Sequence, residues 1–138
     1  MNTKLYKKVH TLAIELLKAA DEENDQRFEQ FYAELKAICY DNEADEIMNH
    51  PVQWETLGDF TEDGEEALAF YQKALDYAQA IDAKDYAAST SYAMASILQE
   101  AGDNERALEL AKLAHNMASE GPDAELRKEI KALLNKFK

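Results

Sequence analysis

Ala67-Leu68-Ala69-Phe70-Tyr71-Gln72-Lys73-Ala74-Leu75 and Ala107-Leu108-Glu109-Leu110-Ala111-Lys112-Leu113-Ala114 carry one pattern twice, displaced by 40 residues. In each, alanines seven apart fall on one helix face, where a missing side chain lets a neighbouring helix come close. Outward from the first stretch, Ala67, Phe70, Tyr71, Ala74, Leu75, Ala78 and Ile81 keep the three-and-four spacing of a helix over Asp63 to Ile81. Tyr86, Thr90, Ala93, Met94, Ile97, Leu98 and Ala101 predict a further helix from Ala83 to Ala101. Gly102-Asp103 stops it and caps the next, Asn104 to Ser119, and Gly121-Pro122 opens a last one carrying Leu126, Ile130, Leu133, Leu134 and Phe137. Upstream, Leu5, Val9, Leu12, Ala13, Leu16, Leu17 and Ala20 predict a helix over Thr3 to Ala20. Phe28, Phe31, Tyr32, Leu35, Ile38 and Cys39 predict one over Asp25 to Tyr40, capped by Asn24 or Asp25, and Pro51 starts a short one ending at Phe60.

Four Gly and two Pro in 138 residues are too few for a barrel or sandwich of tight turns, and no segment alternates with the period of a strand. The expected fold class is therefore all-α: about seven helices in antiparallel helix-turn-helix pairs, forming one domain over residues 1–138.

The repeat resembles the tetratricopeptide (TPR) family of paired helices. Trp54-x2-Leu57-Gly58 and Ala67-x3-Tyr71 match parts of its pattern, and Gly102-Asp103 followed by Ala107 matches the usual connection within a pair. Three departures accompany the match. Trp54-Leu57-Gly58 lies three residues too close to Ala67, Thr61 stands where an aromatic is expected, and the period of 40 exceeds the usual ~34. The resemblance implies two helix pairs over 51–120, a capping helix over 121–138 and divergent helices before residue 51. In TPR-like domains the first helix of each pair lines a binding groove, which implies Ser89, Tyr92, Ser96, Gln99 and Glu100 as groove residues, joined by Glu55 and Asp59 from the helix at Pro51. The basic and Asn positions with which some TPR domains clamp a C-terminal carboxylate are not reproduced.

Charge is unevenly spread. The chain carries a formal net charge of −13, with a pI near 4.6. Residues 1–20 hold four Lys against Glu15, net +3; residues 21–66 hold 16 acidic residues against Arg27 and Lys36, net −14; residues 67–138 are near neutral at −2. Such a chain is repelled by nucleic acid and by anionic membrane, so neither is expected as a partner, and a basic protein segment is. The longest uncharged run, Tyr86 to Gln99, falls short of a membrane span and is interrupted by Ser and Thr. The lysine-bearing N-terminus reads as helix rather than leader, and the single cysteine, Cys39, excludes an internal disulfide, so a cytoplasmic location is expected.

No catalytic constellation emerges. Gly58, Gly64, Gly102 and Gly121 are isolated and read as helix ends. Asp59-x-Thr61-x-Asp63-Gly64 resembles the start of a calcium loop, but Phe70 stands where the closing Glu belongs. His10, His50 and His115 are far apart and read as surface or boundary residues, and Cys39 reads as a buried inert thiol. No cofactor or metal is expected. The expected function is a non-catalytic module, whether adaptor, chaperone or neutralising partner, that binds a protein segment. The alternatives are a metal-dependent enzyme using carboxylates within 41–66, and a self-associating protein, a homo-oligomer whose groove is filled by its own copy.

Overall fold

A computed structural model describes residues 2–119 and 121–137. Among these residues the chain forms seven helices and no strand: α1 (Thr3–Asp21), α2 (Asp25–Asn42), α3 (Pro51–Asp59), α4 (Gly64–Ala80), α5 (Lys84–Glu100), α6 (Asn104–Ala118) and α7 (Ala124–Asn135).

Local chemistry sets the helix ends. Asn2, Asn24 and Asp103 each turn a side-chain oxygen onto the amide three residues on, at 3.0, 3.1 and 3.3 Å. The last helix begins later than Gly121-Pro122 implies. Asp123 Oδ1 accepts the Leu126 amide at 2.9 Å, which makes Asp123 the cap and leaves Pro122 outside. Three helix-to-helix turns share one hydrogen bond: Asn24 N–H to Ala19 O, Ala83 N–H to Ala78 O and Asp103 N–H to Leu98 O, at 2.8, 2.8 and 2.9 Å. The residue before each donor is left-handed: Glu23 at φ 54°, Asp82 at φ 55° and Gly102 at φ 89°. This is the turn that reverses a chain directly after a helix, and it recurs between α1 and α2, α4 and α5, and α5 and α6.

The chain divides into two compact units, residues 1–70 and 71–138, with the boundary inside α4. In the first, α1 packs on α2 and α3, and α2 on α3. Val9, Leu12, Leu16 and Ala19 of α1, Leu35, Ile38 and Cys39 of α2, Trp54 and Leu57 of α3, and Ala67 and Phe70 at the start of α4 form its buried core. Leu17, expected on the apolar stripe of α1, is 63% exposed, because it stands about 100° round the helix from Leu16, on which the buried face is centred. Trp54 has no exposed surface; it meets Tyr40 edge-on at 5.3 Å and donates its indole N–H to Asn49 Oδ1 at 2.8 Å.

The second unit is packed through alanine. Ala88, Ala114, Ala118 and Ile130 form one buried cluster, and Ala95, Ala111 and Leu133 another. Along α5 these positions ascend while along α6 they descend, so the two helices run antiparallel; α7 ascends with α5 and runs alongside it. The uncharged run of α5 matches its burial on more than one side, since Ala87, Ala88, Thr90, Ser91, Met94, Ala95 and Leu98 are all buried. Ser91 satisfies its hydroxyl by donating to Ala87 O at 2.6 Å.

Candidate functional site

The first two turns of α2 present Asp25, Phe28, Glu29 and Tyr32 at i, i+3, i+4 and i+7, a single helix face. Opposite them stand Phe60, Thr61, Glu62 and Asp63 of the corner between α3 and α4, followed by Glu66 in the first turn of α4. Between these walls lies a cleft of about 500 Å³, within the range of ligand-binding clefts. Aromatic rings form one side of its chemistry and five carboxylates the other.

The corner is held in place by its own polar groups. Thr61 Oγ1 donates its single proton to Leu57 O at 2.7 Å, so the Tyr32 hydroxyl, 2.8 Å away, is the donor in the bond that ties α2 to the corner. Phe28 stacks with Tyr32 at 6.4 Å and 9° between planes, and meets Phe60 at 6.3 Å and 64°. These rings are half-buried, whereas Asp25, Glu29, Glu62, Asp63 and Glu66 are exposed. Lys36 is a neighbouring cation; its Nζ lies 3.5 Å from Glu66 and 5.8 Å from the centroid of the Phe70 ring. Acidic residues in the first turns of α2 and α4 complement the positive ends of those helices, and that accounts for Asp25, Glu65 and Glu66. It does not account for Glu29 or Glu62.

The groove residues expected from the sequence fall in different compact units. Glu55 and Asp59 stand one turn apart on α3 in the first unit, and neither lines the acidic cleft. In the second unit, Tyr92, Ser96, Gln99 and Glu100 line one cleft of about 270 Å³ together with Glu129 and Leu133 of α7 and Lys136, its C-cap. Ser89 lines another, of about 210 Å³, with Asp85, Asp123 and Leu126. Tyr92 packs against both alanine clusters, so its ring serves the internal contact of α5 with α7 as well as the cleft wall. The Ser96 and Ser89 hydroxyls donate to carbonyls of their own helix, Tyr92 O at 3.1 Å and Tyr86 O at 3.3 Å.

His50 departs from the surface or boundary position expected for it. It is 9% exposed and caps α3: Nδ1 accepts the Val52 amide at 3.1 Å, while Gln53 Oε1 accepts the His50 amide at 3.4 Å. Burial lowers its pKa. Gln53 is also buried and ties the start of α3 to the link from α2 by donating to Met48 O at 2.7 Å. Cys39 has no exposed surface and donates to Gln53 O at 3.3 Å. Burial, helped by the charge of Glu43, pushes its thiol up to about 12. His10 on α1 and His115 on α6 are exposed. The run from Asp59 to Gly64 forms the corner itself rather than an ion cage, and among the described residues no three His, Cys, Asp or Glu side chains gather to hold a metal. Among the described residues, no helix is long and apolar enough to cross a membrane.

No protein-family model, curated protein or solved structure matches the chain.

Proposed function

We propose that the chain is a non-catalytic binding module that takes a basic segment of another protein in the cleft between α2 and the α3–α4 corner, acting as an adaptor, a chaperone or a neutralising partner. The observation that carries this reading is the pairing of Phe28, Tyr32 and Phe60 with five carboxylates around about 500 Å³. Lysine and arginine suit such a place, because their apolar stems lie along aromatic rings while their charged ends reach carboxylates at the rim. The remaining charge of residues 21–66 steers a basic partner toward the cleft and speeds its arrival. Among the described residues, Cys39 is buried with a raised pKa, His10 lies on α1, His50 caps α3 and His115 lies on α6, so none of the four gathers with another at the cleft. The alanine-packed, antiparallel α5 and α6 favour a TPR-like pairing.

Calorimetry together with stopped-flow kinetics, using a short peptide alternating Lys or Arg with Leu or Phe, tests this. Phe60→Ala should slow nothing in encounter but shorten the lifetime of the complex. Glu29→Gln with Glu62→Gln and Asp63→Asn should lower the association rate, and the loss should fade as added salt shortens the Debye length to ~3 Å at about 1 M. Binding that is indifferent to both sets, or heat from a divalent cation in place of the peptide, would reject the reading, the latter in favour of a metal-dependent enzyme.

A further inference from the structure

Helix α1 is seated on α2 and α3 with Val9, Leu12, Leu16 and Ala19 buried, and this leaves a second apolar face outside. Tyr6, Ile14 and Leu17 are 39%, 51% and 63% exposed. At 3.6 residues per turn they share an arc of about 80° over roughly 16 Å of helix, with the exposed His10 among them. Lys4, Lys7 and Lys18 occupy the adjoining arc and are exposed. The result is a ridge that is apolar along its crest and basic along one flank, on a unit whose residues 21–66 carry a net charge of −14.

We infer that this ridge docks into the acidic aromatic cleft of a second copy of the chain. The inference rests on the reading that the cleft takes a basic segment, and it names one. Complementarity is twofold: the lysines answer Glu29, Glu62 and Asp63, and the apolar crest answers the rings of Phe28, Tyr32 and Phe60. Because α1 is fixed through its opposite face, its ridge does not turn into the cleft of its own chain, and the contact is intermolecular. Each copy offers both a ridge and a cleft, and a basic partner entering the cleft displaces the neighbouring copy. Anionic lipid is the poorer occupant, since a membrane that attracts the lysines repels the acidic segment of the same unit.

Sedimentation velocity tests this with two variants at exposed positions: a ridge variant, Lys7→Glu with Ile14→Ser and Leu17→Ser, and a cleft variant, Glu29→Lys with Glu62→Lys. At low salt the wild-type mass should rise with concentration above the 15.6 kDa of one chain and return to it at about 0.5 M salt. Each variant alone should remain single. Mixed, they should form a one-to-one pair and nothing larger, because each supplies the surface the other lacks. A wild type that stays single at every concentration, variants that associate as it does, or a mixture that fails to pair would overturn the inference. If the wild type stays single yet binds the basic peptide, self-docking fails and the proposed function stands; if neither occurs, both fail. Flotation of the wild type, but not the ridge variant, with phosphatidylserine vesicles would assign the ridge to lipid and likewise overturn it.

Discussion

Replacing Ala114 with Leu probes the alanine contact on which the second unit depends. Ala114 has no exposed surface and is clustered with Ala88 of α5, Ala118 of its own helix and Ile130 of α7. Leu adds three heavy atoms where two helices meet the first at once, so the helices must separate or the side chain must leave its rotamer, at about 1–3 kcal/mol. Unfolding entropy of roughly 2.1 cal/mol/K per residue gives about 0.3 kcal/mol/K for a chain of this length, so Tm should fall by about 3–10 °C. If residues 71–138 melt as their own unit, the fall should be roughly double. Calorimetric melting measures it. Glu109→Leu, an exposed position on the same helix, is the control and should change stability by about 0.5 kcal/mol or less. If Ala114→Leu is as neutral as the control, α6 does not meet its neighbours through its alanine face.

The shared left-handed turn predicts opposite signs at its three sites. Glu23→Gly and Asp82→Gly should each stabilise by about 0.5–1 kcal/mol, while Gly102→Ala should destabilise by about 1 kcal/mol, as read by denaturant titration. Only neutral His50 can accept the Val52 amide, and burial lowers its pKa from the ordinary 6.5, so the unfolded chain takes up the proton first. Its contribution is thus complete above about pH 6.5 and declines as pH falls through the lowered folded value; in His50→Asn, which keeps a capping oxygen, the stability between pH 7.5 and pH 5 should depend less on pH. A thiol pushed up to about 12 should make native Cys39 react with an alkylating reagent at about pH 8 some thousandfold more slowly than in denaturant, and equal rates would place it outside the core.

The helices were legible because their signals are local. Apolar spacing and the caps Asn24 and Asp103 mark α2 and α6 within a few residues. Two of the three shared turns carry no such mark, since Glu23 and Asp82 take a conformation usually given to glycine; the hydrogen bonds to Ala19 and Ala78 that hold them are visible only in the fold. The acidic cleft was half legible. The charge map isolates residues 21–66, and Phe28, Tyr32 and Phe60 stand among acids in the text, but periodicity assigns Phe28 and Tyr32 to the core stripe of their helix. What brings them to a cleft is the bond from Tyr32 to Thr61, across 29 residues, and no local pattern encodes that pairing. Tyr92, Ser96, Gln99 and Glu100 share a face of one helix and line one cleft for that reason alone, whereas Glu55 and Asp59 belong to the other compact unit.

The binding claim is tested most directly by following every backbone amide of the isotope-labelled chain by two-dimensional NMR while a short Lys- and Phe-containing peptide is added. Amide shifts concentrated in residues 25–32 and 60–66, saturating with peptide and weakened by Phe60→Ala, are the predicted result. Shifts confined to residues 92–100, or none while the same peptide is in large excess, would contradict it.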